Sequence, residues 1–280
     1  MIKFFKLNCV CLIITLLFLT SCNKDRLITK TEYFENGNIR VTHLLKNGKN
    51  IDSSIYYFNN VKTTTINQIR YWKDSTSCIK LFDKNEILLS EGEIKNKDIN
   101  FRIGFWKFYK KNGNTNIVEY KNINDKSYFN QNWVVKNKDT LTGRGNFFDS
   151  FFIRDTISLG EFVKVHFYLQ QPYFSRDSDI EIILPKYDLL LNDDFSNLYD
   201  IETFTYQSLK NDGIPHPDIP EEYYPINHDI EFGLQYTTPG EKRIRGVLIE
   251  NNNKNKFDSL EYRERRLFFD KTFFIKDTVK

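Results

Sequence analysis

The chain has 280 residues, of which 40% are hydrophobic and 16% aromatic, and its formal net charge at pH 7 is +3. This composition is sufficient for a packed core, and the length allows one large domain or two ordinary ones. The basic residues form no polybasic block, which argues against a nucleic-acid partner because phosphate binding needs clustered Lys and Arg. The 25 Phe and 16 Tyr residues favour strands over helices and predict an all-β protein.

The amino-terminal residues have the features of an export signal. Lys3 and Lys6 precede an apolar run, residues 9–18, which is short for a membrane span. The run closes on Leu19-Thr20-Ser21-Cys22, which resembles the lipobox of bacterial lipoproteins. The resemblance implies cleavage between Ser21 and Cys22 and acylation of Cys22 by diacylglycerol and a further fatty acid such as palmitate.

The lipobox resemblance also implies a cell-envelope location with a membrane anchor. Asn23 stands where some lipoproteins carry an aspartate that retains them at the inner membrane, so the outer membrane is favoured, on either its periplasmic or its surface side. Loss of residues 1–21 removes two lysines and no acid, which lowers the formal charge to +1. A plain signal peptide and an uncleaved transmembrane helix are the alternatives; the lipobox argues against the first and the short apolar run against the second.

Cysteine usage predicts no disulfide framework. Cys9 and Cys11 lie in the signal and Cys22 would carry the lipid, which leaves Cys78. One thiol cannot form an intramolecular disulfide. The alternating residues around Cys78 predict a small buried side chain rather than a nucleophile.

Residues 30–132 are predicted to form repeated β-hairpins. An aromatic or apolar pair followed by a turn rich in Asn or Gly occurs four times, with the leading aromatics 24, 25 and 27 residues apart. Asn-Gly pairs favour two-residue hairpin turns, since both central positions need a positive φ. A period in the twenties indicates small units that bury their faces against their neighbours. The four copies have their leading aromatics at Tyr33, Tyr57, Phe82 and Tyr109.

The best-preserved copies, residues 81–96 and 104–122, resemble the variant MORN repeats of exported bacterial proteins. In the first of them Glu86 stands where the repeat has Gly. The resemblance implies an extended, mostly one-layer sheet with a structural or interaction role. Trp72 and Trp106 are then either core residues or part of a face that stacks on a glycan or peptide.

Residues 140–280 are predicted to form an antiparallel β-sandwich. Phe162 to Leu169 alternate between apolar and polar residues, and similar runs follow at 180–184, 230–236, 243–250 and 262–275. The layout resembles immunoglobulin-like domains of exported bacterial proteins. Two short motifs carry this resemblance, at residues 155–161 and at Pro239-Gly240-Glu241.

Residues 192–229 interrupt the sandwich pattern with four prolines, several acids and the pair Tyr223-Tyr224. Because proline removes a ladder donor, we expect a long loop or insertion with a short strand at 201–206. Long loops often carry function, so Tyr223 and Tyr224 are candidate ligand-binding residues. For the segment as a whole, a solvated connector is the favoured interpretation.

The sequence has no recognisable catalytic or cofactor motif. It has no nucleophile elbow, no glycine-rich phosphate loop and no His-Glu-x-x-His pair. Asp188, Asp193 and Asp194 lack the spacing of a calcium loop, and His216 with His228 forms a weak zinc candidate. We therefore expect no enzyme activity, no cofactor and no metal.

These predictions divide the chain into a signal peptide (1–21), a tether (22–29), the hairpin repeats (30–132) and the immunoglobulin-like sandwich (140–280). The expected function is that of a lipid-anchored, non-catalytic structural or protein-interaction module of the envelope, with other envelope proteins as partners. A surface lipoprotein that binds glycan or peptide is the alternative. A hydrolase that uses carboxylates or a loop metal is the least favoured interpretation.

Overall fold

The computed structural model describes residues 27–48, 50–60, 64–95, 97–152, 156–217, 219, 225–254 and 261–277. This part of the chain is all-β, with seventeen strands and two short 3-10 turns, Asp188–Leu190 and Ile226–His228. The predicted lipidation and cleavage site at Ser21 and Cys22 lies outside the described residues. The chain divides between Trp72 and Lys73 into two compact units.

The first unit contains an antiparallel meander of four strands in the order β1-β2-β3-β4. Asn47 and Gly48, in the connection between β2 and β3, have positive φ of 53° and 71°, as an Asn-Gly pair favours. The strands are β1 (Leu27–Tyr33), β2 (Ile39–Lys46), β3 (Asn50–Tyr57) and β4 (Ile66–Trp72).

The second unit contains two sheets. In the larger one, eight strands are antiparallel in the order β5-β6-β7-β8-β9-β10-β12-β15, and in the smaller one five strands follow the order β11-β17-β16-β13-β14, with β11 parallel to β17. The strands are β5 (Thr76–Phe82), β6 (Leu88–Lys95), β7 (Arg102–Tyr109), β8 (Thr115–Ile123), β9 (Lys126–Lys136), β10 (Asp139–Phe152), β11 (Thr156–Ser158), β12 (Phe162–Gln171), β13 (Asp179–Pro185), β14 (Thr203–Gln207), β15 (Asp229–Gln235), β16 (Gly240–Asn251) and β17 (Glu264–Lys276).

Three of the four repeated turns have the same backbone conformation. The closing hydrogen bonds are Phe34 N to Asn38 O (2.8 Å), Asp83 N to Ile87 O (3.0 Å) and Lys110 N to Asn114 O (2.9 Å). The fourth residue has positive φ in each turn: 84° at Gly37, 60° at Glu86 and 81° at Gly113. Glu86 therefore adopts the left-handed conformation that glycine adopts at the same position in the other two turns. The repeat-like hairpin arrangement predicted from the sequence is present.

The main core lies between the two sheets of the second unit. Val163, Val165, Phe167 and Leu169 point from β12 into this core, as their alternation predicted. Strands of both sheets contribute to this one core, so the two sheets face each other across it. The other buried residues of the core are Phe148, Ile157, Ile180, Ile182, Leu184, Ile230, Phe232, Ile244, Leu248, Leu267, Phe269, Phe273 and Ile275.

Residues 188–201 cover the opposite side of the smaller sheet, where Leu191, Phe195 and Leu198 pack in a second cluster with residues of β16 and β17. The buried guanidinium of Arg245 donates to the carbonyl oxygens of Asp188 (2.8 Å) and Leu191 (2.9 Å). The beginning of the proline-rich segment is thus a packed layer rather than a solvated connector. The short strand expected at 201–206 is β14, at the edge of the smaller sheet.

Candidate interaction surface

Trp106 is buried in the small core of the hairpin strands. Its indole is fully buried and lies against Gly92, where a Cβ would overlap the ring. Its Nε1 donates to the Glu93 carbonyl oxygen (2.8 Å), and the Arg102 guanidinium lies 4.7 Å from its ring centre. No face of Trp106 is available for stacking on a ligand, so this residue fits the core interpretation.

Trp72, the other candidate tryptophan, is half-buried in the first unit. Its Nε1 donates to the buried Ser54 hydroxyl (2.8 Å), and the Arg70 guanidinium lies 4.9 Å from its ring centre. A guanidinium thus stacks on an indole in each unit. The remaining two candidates, Tyr223 and Tyr224, lie outside the described residues.

The larger sheet of the second unit has a face that points away from the main core, which we call the outer face. Phe105 is 62% exposed there, and its ring centre is 6.0 Å from that of Trp133, which is 5.6 Å from Phe147. Sequence reasoning missed Phe105 because the larger Trp106 stands beside it. Strand alternation could have separated them, since neighbouring residues point to opposite faces.

Charged side chains form a ladder across the outer face. Glu91 accepts a hydrogen bond from the Tyr109 hydroxyl (2.7 Å) and lies 3.8 Å from Lys80 and 3.6 Å from Lys107. The Tyr109 hydrogen bond holds the pKa of Glu91 below its usual value, while burial and the neighbouring Glu91 raise the pKa of Tyr109 to about 12. Such partly exposed pairs contribute about 0–1 kcal/mol each to the stability of the fold. Their main consequence is that this face is polar and hydrated.

A second exposed aromatic lies at the far end of the outer face. Phe151 is half exposed on β10, and its ring stacks on His166 with a centre distance of 5.8 Å. His166 Nε2 is hydrogen-bonded to the buried carboxylate of Asp229. The outer face therefore presents exposed rings at two places, separated by polar side chains.

Ser178, His228 and Glu250 form a buried polar cluster that could be mistaken for a catalytic triad. The Ser178 hydroxyl lies 2.9 Å from His228 Nε2 and 3.0 Å from Glu250 Oε1. Glu250 also accepts from the backbone N–H groups of Tyr173 (2.8 Å) and Phe174 (2.9 Å). In a catalytic triad the carboxylate orients the histidine, whereas here it bonds to the serine, and that serine is fully buried.

This cluster therefore joins the loop after β12 to β16 and has no path for a substrate to the hydroxyl. Burial lowers the pKa of His228, with smaller opposing effects from a hydrogen bond to the Ser178 backbone and from the charge of Asp179. The imidazole is thus held in its neutral form. A neutral buried histidine between polar neighbours is a structural element of this core.

The candidate metal ligands are occupied by other partners. Asp188 and Asp193 both lie against the Arg245 guanidinium (2.8 and 3.2 Å), and His216 is 2.9 Å from Asp212. Within the described ranges, no three or more His, Cys, Asp and Glu side chains are grouped as metal ligands would be.

Cys78 was predicted to be buried, but it is only half-buried. It lies on the same face of β5 as Lys80, which belongs to the ladder. Its thiol donates to Glu93 (3.5 Å), which explains how it can face a polar surface.

No family model, curated protein or solved structure matches the chain. In the part of the chain that the structure describes, no helix has the length and apolar character to cross a membrane. The fold defines an all-β protein in which strands β5–β9 form hairpins and later strands form a two-sheet sandwich.

Proposed function

We propose that the chain is a non-catalytic protein of the cell envelope, held at a membrane by acyl chains on Cys22, which binds or spaces other envelope components. The observation that carries this proposal is the sequence Leu19-Thr20-Ser21-Cys22 after a basic and apolar signal. Each buried methylene contributes roughly 0.8 kcal/mol, so two or three acyl chains anchor a protein stably where one would exchange. The outer membrane is the favoured location.

The position of the first strand supports a function close to the membrane surface. β1 begins at Leu27, five residues after Cys22. Because an extended chain spans at most roughly 3.6 Å per residue, Leu27 would lie within about 18 Å of the lipid attachment. The exposed side chains of Leu27 and Ile28 would then be the first part of the fold next to the lipid headgroups.

We assign the hairpins to the MORN-like class and the sandwich to the immunoglobulin-like class. Support for the first assignment comes from the repeated five-residue turns and from the packing of Trp106 on Gly92. Support for the second comes from the antiparallel strands of two facing sheets around one core. Relatives of MORN-like arrays serve as structural or interaction modules, which agrees with a non-catalytic function.

The outer face is the surface that would meet a partner. Phe105 and Phe151 are exposed on it, and Phe105 with the neighbouring Trp133 offers a partner an aromatic contact area. The partner in this proposal is another envelope protein. Phe105 beside Trp133 also favours a second candidate function, in which the two rings stack on a glycan or an extended peptide.

The anchor is tested by replacing each mature cysteine in turn in a bacterial host. We expect Cys22→Ala to abolish the mass of the lipid, to block signal cleavage and to change membrane fractionation. Cys78→Ala is the matched control and should behave as wild type. An inhibitor of the lipoprotein signal peptidase should make the wild type accumulate uncleaved. Unchanged processing and membrane fractionation of Cys22→Ala would rule out the anchor.

The outer face is tested separately with the purified chain on glycan and peptide arrays. We expect Phe105→Ala to weaken the binding of any ligand that stacks on this face. Phe274→Ala, which removes an equally large exposed ring from β17, should leave binding unchanged. If the chain binds no glycan or peptide on the arrays, or if its binding survives Phe105→Ala, the glycan- and peptide-binding alternative is wrong. The function as an anchored structural module would then remain.

A further inference from the structure

The first part of β10 leaves the regular ladder. Thr140 pairs with Val135, but the next pair joins Gly145 to Trp133, so residues 141–144 bulge out of the sheet. Gly143 and Gly145 have φ of 75° and 100°, and a Cβ at Gly145 would overlap the Asn132 carbonyl oxygen. Bulges of this kind redirect side chains and occur often beside binding sites.

The bulge forms one wall of an open groove of about 470 Å³. Residues of the turn between β7 and β8 and the last residue of β9 also line it. A volume of this size is in the range of sites for small molecules, roughly 300–1,000 Å³. The lining side chains are Asn112, Asn114, Lys136, Leu141, Thr142 and Arg144.

The groove is rich in hydrogen-bond donors. Each of its five polar side chains has an N–H or O–H group, and none of the lining residues is a carboxylate. Asn112 Oδ1 already accepts from the Asn114 backbone N–H (3.1 Å), which leaves the Asn112 amide N–H₂ group for a ligand. Lys136 and Arg144 form no ion pair with any carboxylate in the described ranges.

The residues next to the groove increase its positive charge. Lys110 and Lys111 precede Asn112 in the same turn, and Lys138 lies in the turn after Lys136. One acid, Asp139, follows in sequence and is the ladder partner of Lys136. This concentration of cations contrasts with the nearly neutral charge of the chain as a whole.

We infer that this groove binds a small molecule with a phosphate monoester group. Arg144 supplies a planar fork for two phosphate oxygens and Lys136 a second positive charge. A phosphate monoester has close to two negative charges and three acceptor oxygens, so it can use both cations and the neutral donors of Asn112 and Thr142. A carboxylate has one charge and would leave one cation unused.

The inference goes beyond the proposed function and does not depend on a lipid at Cys22, because every lining residue belongs to the second unit. The same chemistry occurs on a free phosphorylated metabolite and on a lipid headgroup such as that of phosphatidic acid. Leu141, the one apolar lining residue, would contact the carbon skeleton in either case.

The chain contains a natural control for this site. The turn at residues 83–87 has the same backbone as the turn at 110–114. It carries Asp83 and Glu86 in place of Lys110 and Gly113, and Lys84 is the counterpart of Lys111. Lys84 is exposed and does not line the groove.

The test measures the binding of glycerol 3-phosphate to the full-length chain in detergent by calorimetry, with glycerol as the neutral reference. We expect the phosphate ester to bind and glycerol not to bind. The double variant Lys136→Gln/Arg144→Gln should weaken association by about tenfold or more, which corresponds to roughly 1.4 kcal/mol. Lys84→Gln should bind as the wild type does, and added salt should weaken binding.

Water-soluble short-chain phosphatidic acid distinguishes the two sources. Tighter, Arg144-dependent binding of this lipid than of glycerol 3-phosphate would identify a headgroup as the ligand, and the reverse order a free metabolite. Thermal unfolding checks that each variant is folded. Equal binding of glycerol, no binding of either phosphate ester, or a folded double variant that binds as tightly as wild type would overturn the inference.

Discussion

The hairpin strands and the sandwich of the second unit bury their aromatic residues in different ways. The sandwich encloses seventeen buried apolar residues between two sheets. Among the described residues of β5–β9, the corresponding cluster has three buried members, Ile79, Ile94 and Trp106. Here the Arg102 guanidinium takes the place of a second layer, since it lies 4.7–5.6 Å from the ring centres of Trp106, Phe108 and Tyr120. A stacked cation can thus cover a large ring on a sheet.

A polar contact joins these two regions within the second unit. The Asn130 side chain accepts from the Phe268 backbone N–H (2.7 Å) and donates to the Phe268 carbonyl oxygen (2.8 Å). It therefore satisfies the same two groups that a neighbouring strand would satisfy. Strand β9 is tied to β17 in this way without belonging to the smaller sheet, so the hairpins and the sandwich should unfold together.

The largest expected effect comes from truncating one isoleucine in each region. Ile180 in the sandwich and Ile94 in the hairpins are both fully buried. We expect Ile180→Ala to lower the free energy of unfolding by about 4 kcal/mol and Ile94→Ala by about 2–3 kcal/mol, because the small hairpin cluster can close around the lost volume more easily than the large core. Urea unfolding followed by tryptophan fluorescence measures both.

The conservative changes Ile180→Val and Ile94→Val control for side-chain chemistry and should each cost about 0.5–1.5 kcal/mol. Equal losses for the two alanine variants would show that the hairpin core is as rigid as the sandwich core. Separate transitions in the wild type would contradict the coupling through Asn130.

The packing of Trp106 on Gly92 gives the next largest effect. A Cβ at position 92 would overlap the indole, so Gly92→Ala should displace the ring and cost about 1–3 kcal/mol. The fluorescence maximum of Trp106 should move to longer wavelength as the ring becomes hydrated. Gly233→Ala is the control, since its Cβ would meet a side-chain atom of Phe162 at 3.3 Å, and Phe162 is exposed and free to move. A stability loss as large in the control as in Gly92→Ala would contradict the close approach at Trp106.

Local patterns predicted the parts of the fold that depend on neighbouring residues. Alternation identified Val163, Val165 and Phe167 as core, and the Asn-Gly pairs identified hairpin turns, because both features follow from backbone geometry over a few residues. The parallel pairing of β11 with β17 joins residues more than a hundred positions apart. No local pattern contains that information.

The candidate site was less predictable than the fold. One interpretation of the sequence makes Trp106 an exposed residue that stacks on a ligand. In the structure its ring packs on Gly92 of β6 and under Arg102 of β7, and it is fully buried. The groove residues come from one turn, the end of β9 and a bulge, and the bulge depends on a register change in β10. Two glycines with positive φ, Gly143 and Gly145, are the signal of this bulge in the sequence.

Just below neutral pH, His228 should give the sandwich a pH-dependent stability. Burial lowers the pKa of His228 below 6.5, so at mildly acidic pH the unfolded state binds a proton that the folded state excludes. Stability should therefore be full above pH 6.5 and fall as pH decreases from 6.5 toward the lowered value. Urea midpoints measured through this range should show the slope, and His228→Gln should reduce it. His216→Gln, which removes an imidazole paired with Asp212, should leave the His228 contribution in place.

The smallest expected effect comes from relieving the left-handed backbone conformation of Glu86 in one of the repeated turns. Glu86 has a φ of 60°, a conformation that costs a non-glycine residue about 1–2 kcal/mol. Glu86→Gly removes this cost but gives the unfolded chain more freedom, so we expect a net stabilisation of about 0.5 kcal/mol. Glu35→Gly is the matched control in the turn before Gly37, where the wild-type residue has no positive φ to relieve, and it should destabilise by a similar amount. Urea unfolding at pH 7 measures the stability of both variants, and we expect opposite signs for the two changes. A loss of stability in both would show that the positive φ at Glu86 carries no strain.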